Sequence, residues 1–354
     1  MLRAALRHPT IVEALRWEKT GEPIDARTIA IAALGMAVPA FAGVALGRAE
    51  AGFTIGLGAM LLAGAPAPAG GASEAPSPGS AILPAALAVV AATVVAGTAW
   101  SDVAVVALAG VAAAISGYSR PVGVAAIRFI IYFVLGVSLI DAAVDHRGAA
   151  ALIFGLGALW NAALRLALAR RPPTVPPAAP ARVATTAQRY AHWRRTMRSL
   201  AGWQFPIRLA AGLAIASVLR QLWPTHHYGW IVLTVALLTQ RPLEPLPVKT
   251  IQRAAGTALG VALTWAILSE LAAPLALAAA ICLLATGAAI ARPRNYLAYA
   301  ALATPVILLV LDIGKPLDPA LLVDRLVATL AAAAIVIAAN LSVGRWMPHD
   351  PARR

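Results

Sequence analysis

The chain has 354 residues, 60% of them hydrophobic and only 12% charged, with a formal net charge of +14. Soluble domains carry roughly 25% charged residues, so an ordinary globular protein is excluded and an all-α polytopic membrane protein is expected. The basic residues flank apolar runs, which removes nucleic acid as a partner, and the single cysteine, Cys282, excludes a disulfide framework or a cysteine-rich metal site.

Apolar runs long enough to approach a bilayer divide the chain into about twelve expected transmembrane helices, ten to twelve if short neighbours fuse. Residues 1–27 read as a basic interfacial segment, with Arg3, Arg7, Arg16, Trp17 and Lys19 ahead of the first span. A first transmembrane repeat, 28–170, holds spans near 28–47, 51–66, 81–100, 102–118, 122–141 and 148–168. The first span lacks a convincing cleavage site and reads as a retained anchor. Residues 171–207 form a cytoplasmic linker, opening Pro/Ala-rich and closing in a basic, aromatic stretch. There Trp193, Met197, Leu200 and Trp203 recur at helical spacing beside Arg194, Arg195 and Arg198, the pattern of a helix lying at anionic headgroups; a solvated connector is the alternative. A second repeat, 208–345, holds spans near 208–224, 227–240, 250–270, 274–291, 296–311 and 321–343, and 346–354 form a tail. With both termini cytoplasmic, all 29 Lys and Arg except Arg48, Arg147, Arg220, Lys315 and Arg325 fall on the cytoplasmic side. The positive-inside rule selects that orientation and a multi-pass inner-membrane location.

Weak internal symmetry links the halves. Pro23-Ile24 parallels Pro206-Ile207, Gly52-Phe53 parallels Gly229-Trp230, and Arg120-Pro121 parallels Arg292-Pro293. Asp141 closes a run as Asp312 does, and Asn161 matches Asn340. Two six-span units in one orientation would be parallel repeats, with a solute path expected at their interface.

Residues Tyr228 to Gly260 carry the most specific chemistry. The apolar run from Gly229 to Thr239 is short for a span, and Pro242, Pro245 and Pro247 then forbid a continuous helix. Arg241, Glu244, Lys249 and Arg253 surround that break. Fixed cations there would concentrate an anion, and a guanidinium can hold a carboxylate bidentately; positive-inside decoration is the competing reading. Arg253 precedes Gly256 and Gly260, a small-xxx-small pair suited to close helix packing. Trp230, Trp223, Tyr228 and Trp265 could stack on an aromatic ring or serve as interfacial anchors. Thr234, Thr239, Thr257 and Thr304 offer hydroxyls within helices, for a ligand or for neighbouring carbonyls. Three intramembrane charges need a partner, a cavity or a route to the interface: Arg128, well inside its span, and Arg220 and Arg325, near outer ends where they could snorkel. Asp324 is the preferred protonatable group, with a structural role at the helix terminus as the alternative. His226-His227 is adjacent, not spaced for a metal, and with no Walker loop or assigned nucleophile no enzyme, metal or cofactor is expected.

These motifs carry a family resemblance over residues 205–345. Phe205-Pro206-Ile207-Arg208-Leu209-Ala210, Tyr228-Gly229-Trp230 through Thr234 to Gln240-Arg241-Pro242, and Gln252-Arg253-Ala254-Ala255-Gly256-Thr257-Ala258-Leu259-Gly260 resemble the fusaric acid resistance protein-like (FUSC) transporters. Arg294-Asn295-Tyr296, Thr304-Pro305, Asp324-Arg325 and Thr329 echo their later helices, while Ala331 or Ala332 stands where those helices usually have glycine. The sequence resembles a short form without the large cytoplasmic domains of longer members. The resemblance implies export of aromatic or other carboxylic acids, driven by the proton gradient. Taken with the broken basic turn, it makes Arg241, Lys249, Arg253, Trp230, Thr234 and Thr257 the candidate substrate-binding residues and Asp324 the candidate proton-coupling group. The expected partners are a small organic anion and the lipid bilayer, with homo-oligomers compatible. A passive anion channel, as in the plant malate channels that resemble one half of this family, and a membrane scaffold without a solute stand as alternatives.

Overall fold

The computed structural model describes residues 26–63, 79–143, 145–168, 185–223, 229–239, 241, 246–271, 273–311 and 319–346. These contain thirteen helices and no strand: α1 Ala26–Ala45, α2 Ala49–Ala63, α3 Gly79–Val95, α4 Ser101–Ile115, α5 Arg120–Ala142, α6 Arg147–Ala167, α7 Thr186–Met197, α8 Leu200–Leu222, α9 Gly229–Leu238, α10 Leu246–Glu270, α11 Pro274–Ala291, α12 Tyr296–Leu311 and α13 Pro319–Trp346. Every expected span falls on one helix, but only seven of them, α1, α5, α6, α8, α10, α11 and α13, are long and apolar enough to cross a membrane alone. α2, α3, α4, α9 and α12 are shorter. The ten residues of α9 reach about 15 Å against a hydrocarbon core of about 30 Å.

Local chemistry sets several ends. Ser119 caps α5 by accepting from the Val122 N–H at 3.4 Å, ahead of Pro121 in the first turn. Pro247 likewise occupies the first turn of α10, where its missing N–H breaks no helical bond. α7 opens on a reciprocal capping box between Thr185 and Gln188. The linker departs from expectation at its end. The helix break falls at Arg198 and Ser199, so Trp203 and Phe205 belong to α8 and Pro206 lies inside it. The amphipathic stripe is therefore split between two helices. Trp193 donates to Ala114 O at 3.1 Å and Trp203 donates to Met197 O at 2.7 Å, while Arg194, Arg195 and Arg198 stay exposed.

Low amphipathicity has a structural counterpart. Leu83, Leu87, Val90 and Val94 run along α3 at spacings of three and four and are all exposed, an apolar stripe suited to lipid. Among the first six helices, α1 packs on α2 and α6, α2 on α6, α3 on α5 and α6, and α5 on α4 and α6. Among the last six, α8 packs on α9 and α13, α9 on α13, α10 on α12 and α13, and α11 on α12. The two sets meet through α1 with α11, α8 with α4, α2 with α12 and α9 with α5. The basic segment at 1–25, the hairpin stretch Ala65 to Gly71, the His226-His227 pair, Glu244, Asp312 and the tail from 347 lie outside the described residues.

Candidate functional site

Short connections make consecutive helices antiparallel, so α9 and α13 begin at one end of the bundle and α10 and α12 at the other. Arg253 lies seven residues into α10, about 10 Å along it, and Arg325 lies six residues into α13, about 9 Å from the opposite end. Both side chains turn inward: Arg253 is 2% exposed and Arg325 0%. Each is followed one turn later by a buried threonine, Thr257 and Thr329. Thr234 of α9 and Thr304 of α12 are equally buried and lie near the middle of their helices. Since α13 packs on both α9 and α10, and α10 on α12, these groups collect in one polar core within the last six helices.

Hydrogen bonding in this core is incomplete. Nε and one terminal nitrogen of Arg253, all three guanidinium nitrogens of Arg325, and the hydroxyls of Thr234, Thr257 and Thr304 have no hydrogen-bond partner. Arg253 bonds the Tyr296 side chain and feels the positive charge of Arg325. Arg325 lies over the Trp230 ring, its Cζ 4.2 Å from the centroid, a cation–π contact that partly compensates its burial. Thr329, by contrast, is satisfied by donating to Arg325 O at 2.9 Å. A buried unmade hydrogen bond costs roughly 1–3 kcal/mol, more for a charged group. Five buried side chains on neighbouring helices thus keep unmade hydrogen-bonding groups, a setting that favours acceptor oxygens and negative charge.

Backbone proximity holds this cluster in shape. A Cβ on Gly256 would come within 2.6 Å of Ala300 Cβ, and one on Gly260 within 2.7 Å of Thr304 Cβ, so α10 and α12 touch where any larger residue would separate them. The pair expected as packing glycines therefore sets the position of Arg253 and Thr257 against Thr304.

The other expected site residues scatter. Arg241 is exposed between α9 and α10, donates to Ser116 O at 3.3 Å, and accepts at its own carbonyl from Arg208 at 3.0 Å. Lys249 is exposed in the first turn of α10, so these two cations do not join Arg253 inside the bundle. Two expectations need correction. Arg325 does not snorkel to an interface, because Trp230 and the surrounding helices enclose it; Trp230 in turn lies against Arg325 and the core instead of serving only as an interfacial anchor. Arg220, for which a partner is one of the expected solutions, has one, so snorkelling alone does not account for it. It pairs with Asp102 at 2.7 Å and lies 3.9 Å from Asp141, bridging α8 to α4 and α5. Asp141 also accepts from Gly97 N–H at 2.6 Å, at a turn whose φ of 74° favours glycine. Arg128 is half-buried and within the field of Arg165 and Arg292. Asp324, 6% exposed, is buried beside Arg325.

Sequence reasoning assigned no role to Arg208, which is 1% exposed and donates to the Asn340 side-chain oxygen. Its only signal was a charge seven residues inside a Pro-containing apolar run. Asp102 was missed as the partner of Arg220 because they are 118 positions apart.

The family model described as fusaric acid resistance protein-like matches residues 213–339, a range that contains every member of the polar core. No curated protein and no solved structure matches the chain.

Proposed function

With residues 213–339 assigned to the fusaric acid resistance protein-like (FUSC) family, we propose that this multi-pass membrane protein is a secondary transporter. Its solutes are small aromatic or carboxylic acids exported across the inner membrane, and export is coupled to protons. The observation that carries the reading is the pair of buried arginines, Arg253 and Arg325, with unmade donors beside three unmade threonine hydroxyls. A carboxylate entering between them would supply acceptors to the guanidinium groups and a counter-charge to both. Trp230 adds an aromatic wall, and Arg241 and Lys249, exposed at the end where α10 begins, supply positive field outside the bundle. Asp324 is the group proposed to exchange the proton, because it is buried next to the substrate-facing Arg325.

The neighbour scheme supports an architecture of two parallel six-helix repeats. Exchanging α1 to α6 for α8 to α13 maps every internal contact of the first set except α5 with α6 onto the second, and maps α1 with α11 onto α8 with α4, and α2 with α12 onto α9 with α5. Both termini cytoplasmic is the orientation that the basic residues favour. A passive anion pathway uses the same buried cluster without a proton step.

Reconstituted full-length protein should accumulate labelled benzoate against its gradient when a pH gradient is imposed, relative to protein-free vesicles. Flux that ignores the pH gradient would move the reading to the passive pathway. Saturable flux unchanged in Arg253→Gln would remove the site, and no flux of any aromatic or aliphatic acid would remove the function.

A further inference from the structure

Where the two sets of helices meet, a crevice opens at the end of the bundle where α10 and α12 begin. Its wall includes Leu61 of α2, Ile131 of α5, Leu237 of α9 and Ala288 of α11, and among the described residues its polar side chains are Arg292 and Tyr299. Its room, about 40 Å³, holds a few waters or one carboxylate group, and because the crevice is partly open the apolar body of an acid would lie along its hydrocarbon rim. The chemistry is that of an organic anion with an apolar body: one cation, one phenol and an otherwise hydrocarbon wall.

The crevice connects to the polar core through two tyrosines. Arg292 Cζ lies 5.4 Å from the Tyr299 ring centroid, and the Tyr299 ring lies 5.8 Å from that of Tyr296. Tyr296 hydrogen-bonds Arg253 and lies in the field of Arg292. Arg128, three residues before Ile131 and so on the same face of α5, adds its charge close to Arg292. Positive charge thus continues from the crevice past Tyr296 to Arg253 and on to Arg325.

We propose that Arg292 and the crevice form an entry subsite for organic anions, with the Tyr299 and Tyr296 rings marking the way from it to the buried Arg253. The proposal rests on the transport reading above.

The test compares saturation curves for labelled benzoate in full-length wild type, Arg292→Gln and Arg292→Lys, reconstituted in phosphatidylcholine vesicles at about 0.02 M and about 0.5 M salt. An entry cation acts by steering, so Arg292→Gln should raise the half-saturating concentration about three- to tenfold at low salt, with the gap closing at high salt and the maximal rate unchanged. Arg292→Lys should stay near wild type. An unshifted half-saturation in Arg292→Gln overturns the proposal. So does a salt-independent fall in maximal rate that lysine fails to restore, which would mark Arg292 as a packing residue. A shift seen only in vesicles containing phosphatidylglycerol overturns it too, because the crevice would then hold a lipid headgroup. Saturable wild-type flux with no Arg292→Gln effect sinks the entry subsite alone, whereas absence of wild-type flux sinks the transport reading and this one together.

Discussion

The two six-helix sets use a common neighbour scheme and fill it with opposite chemistry. In the first, α5 packs on α6 through Tyr132 and Phe154, whose rings lie 5.0 Å apart, and Tyr132, Phe133, Phe154 and Leu57 are all sealed from solvent. The one buried phenol there is satisfied, since Tyr132 donates to Gly58 O. In the second, the equivalent pair α12 and α13 packs less closely, and Thr304, Arg325 and Thr329 of these helices are buried polar side chains. The first set closes this helix pair with aromatic packing, whereas the second buries Arg253, Arg325, Thr234, Thr257 and Thr304 with unmade hydrogen-bonding groups, so the same scaffold yields a brace on one side and a buried polar cluster on the other.

The largest expected effect comes from taking charge out of the buried cluster. Arg253→Gln or Arg325→Gln should weaken benzoate transport about ten- to hundredfold, the loss of one charge-assisted pair of about 1.5–3 kcal/mol, measured as flux at subsaturating benzoate. Asp324→Asn should leave downhill flux measurable while flattening its response to an imposed pH gradient; a retained response would assign the proton step elsewhere. In the braced set, Tyr132→Phe should lower stability by roughly 1–3 kcal/mol by orphaning the Gly58 carbonyl, read by thermal unfolding in detergent, with benzoate affinity unchanged. Thr257→Val should do the reverse. Removing an unmade hydroxyl at constant shape is neutral to stabilising, so unfolding should shift little or upward while affinity falls a few-fold. The smallest effect is expected at Arg220→Gln, where a partly exposed ion pair between the sets is lost, at about 1 kcal/mol or less and without change in transport.

How much of this could be read from the chain depends on the range of the forces involved. Helix positions follow from local hydropathy, so all twelve spans fall on helices, and Arg253, Thr234 and Thr257 stood out because a charge or hydroxyl in an apolar run is visible at its own position. Span ends were less legible. The corner at Arg198 and Ser199 lies ahead of residue 208, where the sequence places the start of the span, and Pro206, expected in the linker, lies inside α8. Least legible were pairings between distant positions. Arg325 looked like an interfacial cation until Trp230 was seen beneath it, and Arg220 looked unaccompanied until Asp102 was seen across the junction. Arg292 and Tyr299 carried no signal, because a cation and a tyrosine at a span boundary are ordinary; only the meeting of α2, α5, α9 and α11 around them makes a crevice.

The glycine contact between α10 and α12 also divides the buried cluster mechanically. Gly256 and Gly260 bind those two helices into one rib that carries Arg253, while α9 packs on α13 and carries Trp230 together with Arg325. The two guanidinium groups therefore ride on different bodies. Empty, they push those bodies apart; with one anion between them, the same charges draw the bodies together. On the proposed function, a bound anion would act as the adhesive between the two bodies, and a cysteine pair spanning α10 and α13 should cross-link faster when benzoate is present than when it is absent.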